Sequence, residues 1–338
     1  MTIQPFPNFQ PVNTHHCVTG SMRHVYLFNN HDISEEMMLG LGQGVSFIYW
    51  HPKGEMPFLG GRGTPKPSME ELAAQRTGVH MRLHTTTSAS KAKQSLLEML
   101  AQQQPVMLQV DMGFLPYFDF EGEAYHFGGH VVAACGYDAA TETVLIADRD
   151  GVYPVPMADL AQARGSKFKP FPPQNRWYTL DFSGKRQPTA AETQQAICET
   201  AVFMLNPPIS NIGVKGIRKA AKMIMKWPEV MTPKQLKWTL FNAYIFISAV
   251  GGSGGGAFRL MYSRFLRETA VLATNSRFDP CADEFQQIGD EWAVIGEKFR
   301  ELSETADPAN YLSDIAAPLE KVADKEQAAW QHLQSITA

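Results

Sequence analysis

Cysteine is scarce and scattered in this sequence. The four thiols, Cys17, Cys135, Cys198 and Cys281, are spread over 338 residues. No CxxC pair for a metal or a redox centre exists, and a disulfide-framed secreted domain is excluded. An excess of one charge is also missing. Thirty Lys+Arg stand against 34 Asp+Glu, a formal net charge of −4, which excludes a globally basic nucleic-acid binder. The longest largely apolar run, Trp238 to Val250, is shorter than the ~18–20 residues that span a bilayer. Met1 to Pro5 carries no basic stretch leading into an apolar one, so neither a transmembrane segment nor a signal peptide is expected. Internal repeats and low-complexity tracts are absent too. The expectation from these absences is a cytoplasmic protein with reduced thiols. At roughly 150 residues per domain, its length suggests two domains.

What is present divides the chain. Cys17 to Phe28 reads as a helix, Ser34 to Met37 opens a second, and the aromatic, β-branched run Val45 to Trp50 reads as a strand. Residues 51–68, rich in Gly and Pro, read as loop. Ser88 caps a helix that Pro105 stops, and a buried strand, Val106 to Asp111, follows. His130 to Gly136 and Thr143 to Asp148 form a hairpin, and Trp177 to Phe182 adds a further strand. Beyond about residue 188 the strand signals stop, and 3.6-residue periodicity covers 190–205, 213–226, 233–250, 256–273, 281–303 and 309–335. The expected fold class is α+β: residues 1–187 with an antiparallel sheet, residues 188–338 all-α.

Three residues carry chemistry. A thiol nucleophile needs a lowered pKa, a nearby base and a group to orient that base. Cys17 follows His15-His16 at a helix start, where the helix dipole favours thiolate. His130 opens one hairpin strand and Asp148 ends the other, so both side chains fall on one face. Asp150 shares that parity and Arg149 points away. The plainer alternative stays open: Cys17 as a small core side chain, His130 as a strand end without catalytic duty.

The order of these residues resembles papain-like cysteine peptidases, and more closely the butirosin biosynthesis protein H-like acyltransferase family. The likeness rests on Thr14-His15-His16-Cys17, Ile33-Ser34-Glu35-Glu36 with Leu39-Gly40-Leu41-Gly42, Gly129-His130-Val131-Val132, and Ile146-Ala147-Asp148. Gly213-Val214-Lys215-Gly216-Ile217-Arg218 and residues 251–266 resemble the helical domain that usually follows. The resemblance implies a papain-like N-terminal domain. It also implies acyl transfer from an acyl carrier protein (or CoA) thioester to an amine or hydroxyl of a small-molecule acceptor. Cys17 would be the nucleophile, His130 the general base and acid, and Asp148 its orienting partner. Papain-like enzymes place an oxyanion-hole Gln about six residues before the Cys. Here Gln10 is seven before, with Pro11 between, so the Cys17 amide and His16 are alternative donors. A hydrolase using the same residues, with water as acceptor, is the second reading. A non-catalytic carrier-binding module is the third.

The remaining candidates are weaker. Cys135 and Cys198 read as core. A zinc site from His15, His16, His126 and His130 lacks the spacing of known zinc motifs, so no metal is expected. Lys215, Arg218, Lys219, Lys222 and Lys226 share one helix face within an arc of roughly 100°. Residues 211–267 hold ten bases and one acid, and residues 279–326 hold thirteen acids and four bases. The basic stripe is either a solvated face or a dock for an anionic partner, such as an acidic carrier protein with its phosphopantetheine arm. That arm would be part of the donor, with no cofactor tightly bound. Nucleic acid is not expected, because no aromatic platform accompanies the charges. Gly251 to Gly256 opens a helix bearing Arg259, Ser263 and Arg267 on its polar side. The glycines serve close backbone packing or an anion, and Arg259 is a further candidate carrier contact.

Overall fold

The computed structural model describes residues 3–63, 66–120 and 125–337. In chain order it forms α1 (Cys17–Phe28), α2 (Glu35–Leu41), β1 (Val45–Trp50), β2 (Phe58–Arg62), α3 (Met69–Arg76), β3 (His80–His84), α4 (Ala89–Ala101) and β4 (Val106–Val110). Then come β5 (His130–Asp138), β6 (Thr143–Asp148), β7 (Gly151–Pro156), α5 (Met157–Gly165) and β8 (Trp177–Asp181). The helices α6 (Ala190–Leu205), α7 (Gly213–Ile224), α8 (Trp227–Val230), α9 (Pro233–Ile247), α10 (Arg259–Leu272), α11 (Phe278–Glu304) and α12 (Ser313–Thr337) follow. This is a mixed α and β chain with antiparallel sheets and a helical C-terminal half. Among the described residues, no helix is long and apolar enough to cross a membrane.

Two compact units result, and they are not the contiguous pair 1–187 and 188–338. Met1–Glu35 joins Thr77–Gln187, while Glu36–Arg76 joins Pro188–Ala338. The first unit is built on a six-stranded antiparallel sheet of order β3-β8-β4-β5-β6-β7. Its core packs Leu108, Val110, Val132, Ala134, Val144 and Ile146 from the central strands with Leu96 and Leu100 of α4 and Leu160 of α5. Helix α1 lies against β5, and Ser21 Oγ donates to the Val131 carbonyl at 3.0 Å.

In the second unit, β1 and β2 form an antiparallel pair. The chain before α7 extends this pair through an Ile48–Ile212 bridge and the bond from Tyr49 N to Asn211 O at 2.8 Å. Phe47 stacks on the Trp292 ring at 5.4 Å, and Trp227 Nε1 donates to Tyr49 Oη at 3.2 Å. This packing draws residues 36–76 into the helical half. Strand β2 corrects the loop expected over 51–68, of which residues 64 and 65 lie outside the described residues. Its glycines read as loop but permit close approach: a Cβ on Gly61 would stand 2.5 Å from the Ala257 carbonyl oxygen.

The Gly251–Gly256 connection serves the same end. A Cβ on Gly256 would meet Gly289 O at 2.4 Å. Arg259 is therefore not a surface contact for a carrier. Its side chain is fully buried, with Nε and Nη2 donating to the two Glu326 carboxylate oxygens at 2.6 and 3.1 Å. Its Nη1 donates to Ser46 O at 2.6 Å and Ala257 O at 2.7 Å. Trp292 and Trp330 indole N–H groups also donate to Glu326, each at 2.8 Å. With its donors taken up inside the core, the guanidinium has none to offer outward. Ser263 is likewise buried, donating to Ala282 O at 2.7 Å.

Candidate active site

Cys17 is the first residue of α1, and His16 is its N-cap, in extended conformation with φ −119° and ψ 134°. The chain reaches this point under two restraints. Thr14 N donates to Arg149 O at 2.8 Å, which ties the approach segment to the end of β6. Gly20, one turn into α1, lies so close to Thr14 that a Cβ would come within 2.3 Å of its hydroxyl oxygen. The Glu35 carboxylate then clamps the helix start. It accepts from His15 N at 2.7 Å, His16 N at 3.1 Å and Thr19 Oγ1 at 2.9 Å. Because the Thr19 hydroxyl proton points to Glu35, its oxygen faces His16 Nδ1 at 3.2 Å.

The sheet supplies the partner groups. Ala133 opposes Ala147 in the β5–β6 ladder, so His130 and Asp148 are diagonal neighbours of like parity. His130 Nε2 and Asp148 Oδ2 lie 2.6 Å apart, both side chains nearly fully buried. The other face of the imidazole turns to Cys17, which is hydrogen-bonded to both His130 and His16. Tyr117 Oη donates to Asp148 Oδ2 at 2.9 Å, and the Arg149 amide donates to Oδ1 at 2.8 Å. The Phe118 ring closes edge-on over His130, centroids 5.7 Å apart. Asp150, the same-parity alternative, instead accepts from Tyr153 Oη at 2.9 Å.

The electrostatics follow from this geometry. Burial pushes the Cys17 thiol up, but the charge of His16, then the bonds to His130 and His16, bring it well below the ordinary thiol value. Burial alone would lower His130; the Asp148 carboxylate, then Cys17, outweigh it and raise the imidazole. Burial works against ionised Asp148 as well, yet His130, Tyr117 and the Arg149 amide hold its carboxyl below the usual carboxylate range. The favoured state is a thiolate beside an imidazolium, held by a carboxylate. Such a thiolate is a nucleophile, and the imidazolium is an acid available to a leaving group.

The other residues singled out by the sequence fall outside this cluster. Gln10 is exposed, and among the described residues it makes no hydrogen bond to Cys17 or His130. His126 bonds Asp111 at 3.0 Å, on a buried carboxylate that also accepts from Ser166 Oγ at 2.6 Å, so it does not join His15, His16 and His130 around an ion. Cys135 is buried, and burial raises its thiol to about 12. On α7, Arg218 bonds Asp324 at 2.6 Å and Lys219 bonds Asn211 at 2.6 Å. Lys215, Lys222 and Lys226 are exposed, with no ion pair among the described residues. Sequence reasoning missed Tyr117, Phe118, Thr19 and the role of Glu35.

Thiol, imidazole and carboxylate thus stand in one hydrogen-bonded row. Residues 16–149 match the family described as Butirosin biosynthesis protein H, N-terminal, and residues 158–333 match Domain of unknown function (DUF4872). The chain belongs to this butirosin biosynthesis protein H-like family. No curated protein matches it.

Proposed function

We propose that the protein is an acyltransferase of papain-like type, with Cys17 as nucleophile, His130 as general base and acid, and Asp148 as its orienting group. The observation that carries this reading is the buried His130 imidazole, bonded to Asp148 on one side and to Cys17 on the other. In the first half-reaction the Cys17 thiolate attacks the carbonyl of a donor thioester. A C–S bond to Cys17 forms, the donor's C–S bond breaks, and His130 gives its proton to the departing thiolate. In the second half, an acceptor amine or hydroxyl attacks the acyl-enzyme while His130 takes its proton. The Cys17 thiolate leaves and the starting state is restored. The backbone N–H of Cys17, at the unsatisfied first turn of α1, supports each tetrahedral oxyanion.

The donor in this reading is an acyl carrier protein thioester, presented on its phosphopantetheine arm. The exposed cations Lys215, Lys222 and Lys226 on and beyond α7 support an acidic partner. Incubation with acyl-loaded carrier protein should add the acyl mass to Cys17, and a small amine should then discharge it as an amide. Cys17→Ala should show no adduct. An adduct on another residue, or none, overturns the reading; release of free acid with the amine present assigns hydrolysis instead.

A further inference from the structure

The helical unit carries a second cluster of ligating side chains, and it stands apart from the chemistry of Cys17. Cys281 and Glu284 lie one turn apart on α11, and His332 comes from α12. His332 Nδ1 is 3.6 Å from Cys281 Sγ, and 3.0 and 3.2 Å from the two Glu284 carboxylate oxygens. The ligand atoms of the three residues all lie within 4.8 Å of one another.

One imidazole nitrogen here faces both a sulfur and a carboxylate. It holds either one proton or one lone pair, so it bonds one of them at a time. With Nδ1–H given to Glu284, the Cys281 thiol donates to Arg277 O at 3.7 Å. A cation between the three groups engages all of them. Tetrahedral zinc, with Zn–S about 2.3 Å and Zn–N about 2.05 Å, has an S···N edge of about 3.5 Å and an N···O edge of about 3.3 Å. The S···N and N···O separations are within a few tenths of an ångström of these edges, and the sulfur and carboxylate lie within 4.8 Å of each other. Charge balances as well: thiolate, carboxylate, neutral imidazole and a divalent ion sum to zero. The Glu284 and His332 side chains are 40% and 39% exposed, so an ion has a way in and a water can complete the coordination.

We propose that Cys281, Glu284 and His332 form a divalent-metal site that takes Zn2+ with one water, clasping α11 to α12. His332 binds through Nδ1 and Cys281 as thiolate. Because the sulfur ligates as thiolate, uptake of the ion displaces the thiol proton.

Co2+ is the probe, used with the full chain in a Cys17→Ala background to remove the other activated thiol. One equivalent should give tetrahedral d–d bands and a sulfur-to-cobalt charge-transfer band, both abolished by one equivalent of Zn2+. Zn2+ should also raise the Tm. Cys281→Ser should lose the charge-transfer band, and His332→Ala should weaken binding at least tenfold. The half-exposed His332 position keeps the second variant folded if the first is not. No charge-transfer band, a band that survives Cys281→Ser, or unchanged affinity in His332→Ala overturns the site and leaves an interhelical ion pair beside a core cysteine.

Discussion

Tyr117 donates its hydroxyl to Asp148 Oδ2 at 2.9 Å, the same oxygen that meets His130 Nε2 at 2.6 Å. The carboxylate that orients the imidazole is thus itself held by a phenol. Removing a hydrogen bond to a charged group costs about 1.5–3 kcal/mol, so Tyr117→Phe should slow acyl capture by roughly tenfold or more. Asp148 would also be easier to protonate, and the acid limb of the rate profile should move to higher pH. An unchanged profile would reduce Tyr117 to packing against the Tyr153 ring, 4.2 Å away.

The lowered Cys17 thiol makes thiolate available at pH values where a free cysteine is protonated. Iodoacetamide should therefore alkylate Cys17 well below the ordinary thiol range. After the opposing effect of burial, His16 is the largest influence on this group, followed by His130. His16→Ala and His130→Ala should each shift the alkylation midpoint upward, because each removes a stabiliser of the charged form. A wild-type midpoint at the free-cysteine value would remove the basis for the nucleophile assignment.

Arg259 and Glu326 are both fully buried and bonded to each other at two points. Arg259→Met strands the Glu326 charge and should cost about 3–5 kcal/mol in stability, read as a lower denaturant midpoint. Were Arg259 a docking residue instead, the variant would keep its stability and lose only use of a carrier-bound donor.

Charge reversal at Lys215 and Lys222 should weaken use of a carrier-bound donor far more than of a small synthetic thioester, and the difference should shrink as salt rises. Both side chains are exposed, so stability should hardly change. Equal loss with both donors, or with neither, returns α7 to an ordinary solvated face.

Periodic and β-branched patterning read α1, β1, β6 and α6 from the sequence with the bounds the structure shows. The facing of His130 and Asp148 was legible because hairpin parity is a local rule. What was not legible depends on contacts distant in sequence. Strand β2 reads as loop because its glycines answer to Ala257, far along the chain. Tyr117 lies in an aromatic stretch with no period, and only the fold brings it to Asp148. Glu35 sits in a stretch that carries the family likeness, yet its bonds to His15, His16 and Thr19 could not be read from spacing. The stripe on α7 has the helical periodicity expected of it, but Arg218 is engaged by Asp324 on α12, which no local pattern foretold.

The transfer of residues 36–76 to the helical unit means that the polypeptide changes unit three times, at 35/36, 76/77 and 187/188. A single cut therefore cannot yield two self-sufficient halves. Residues 1–187 expressed alone would carry Phe47 and Tyr49 without Trp292 and Trp227, their partners in the other piece, and residues 188–338 would lack the β1–β2 pair.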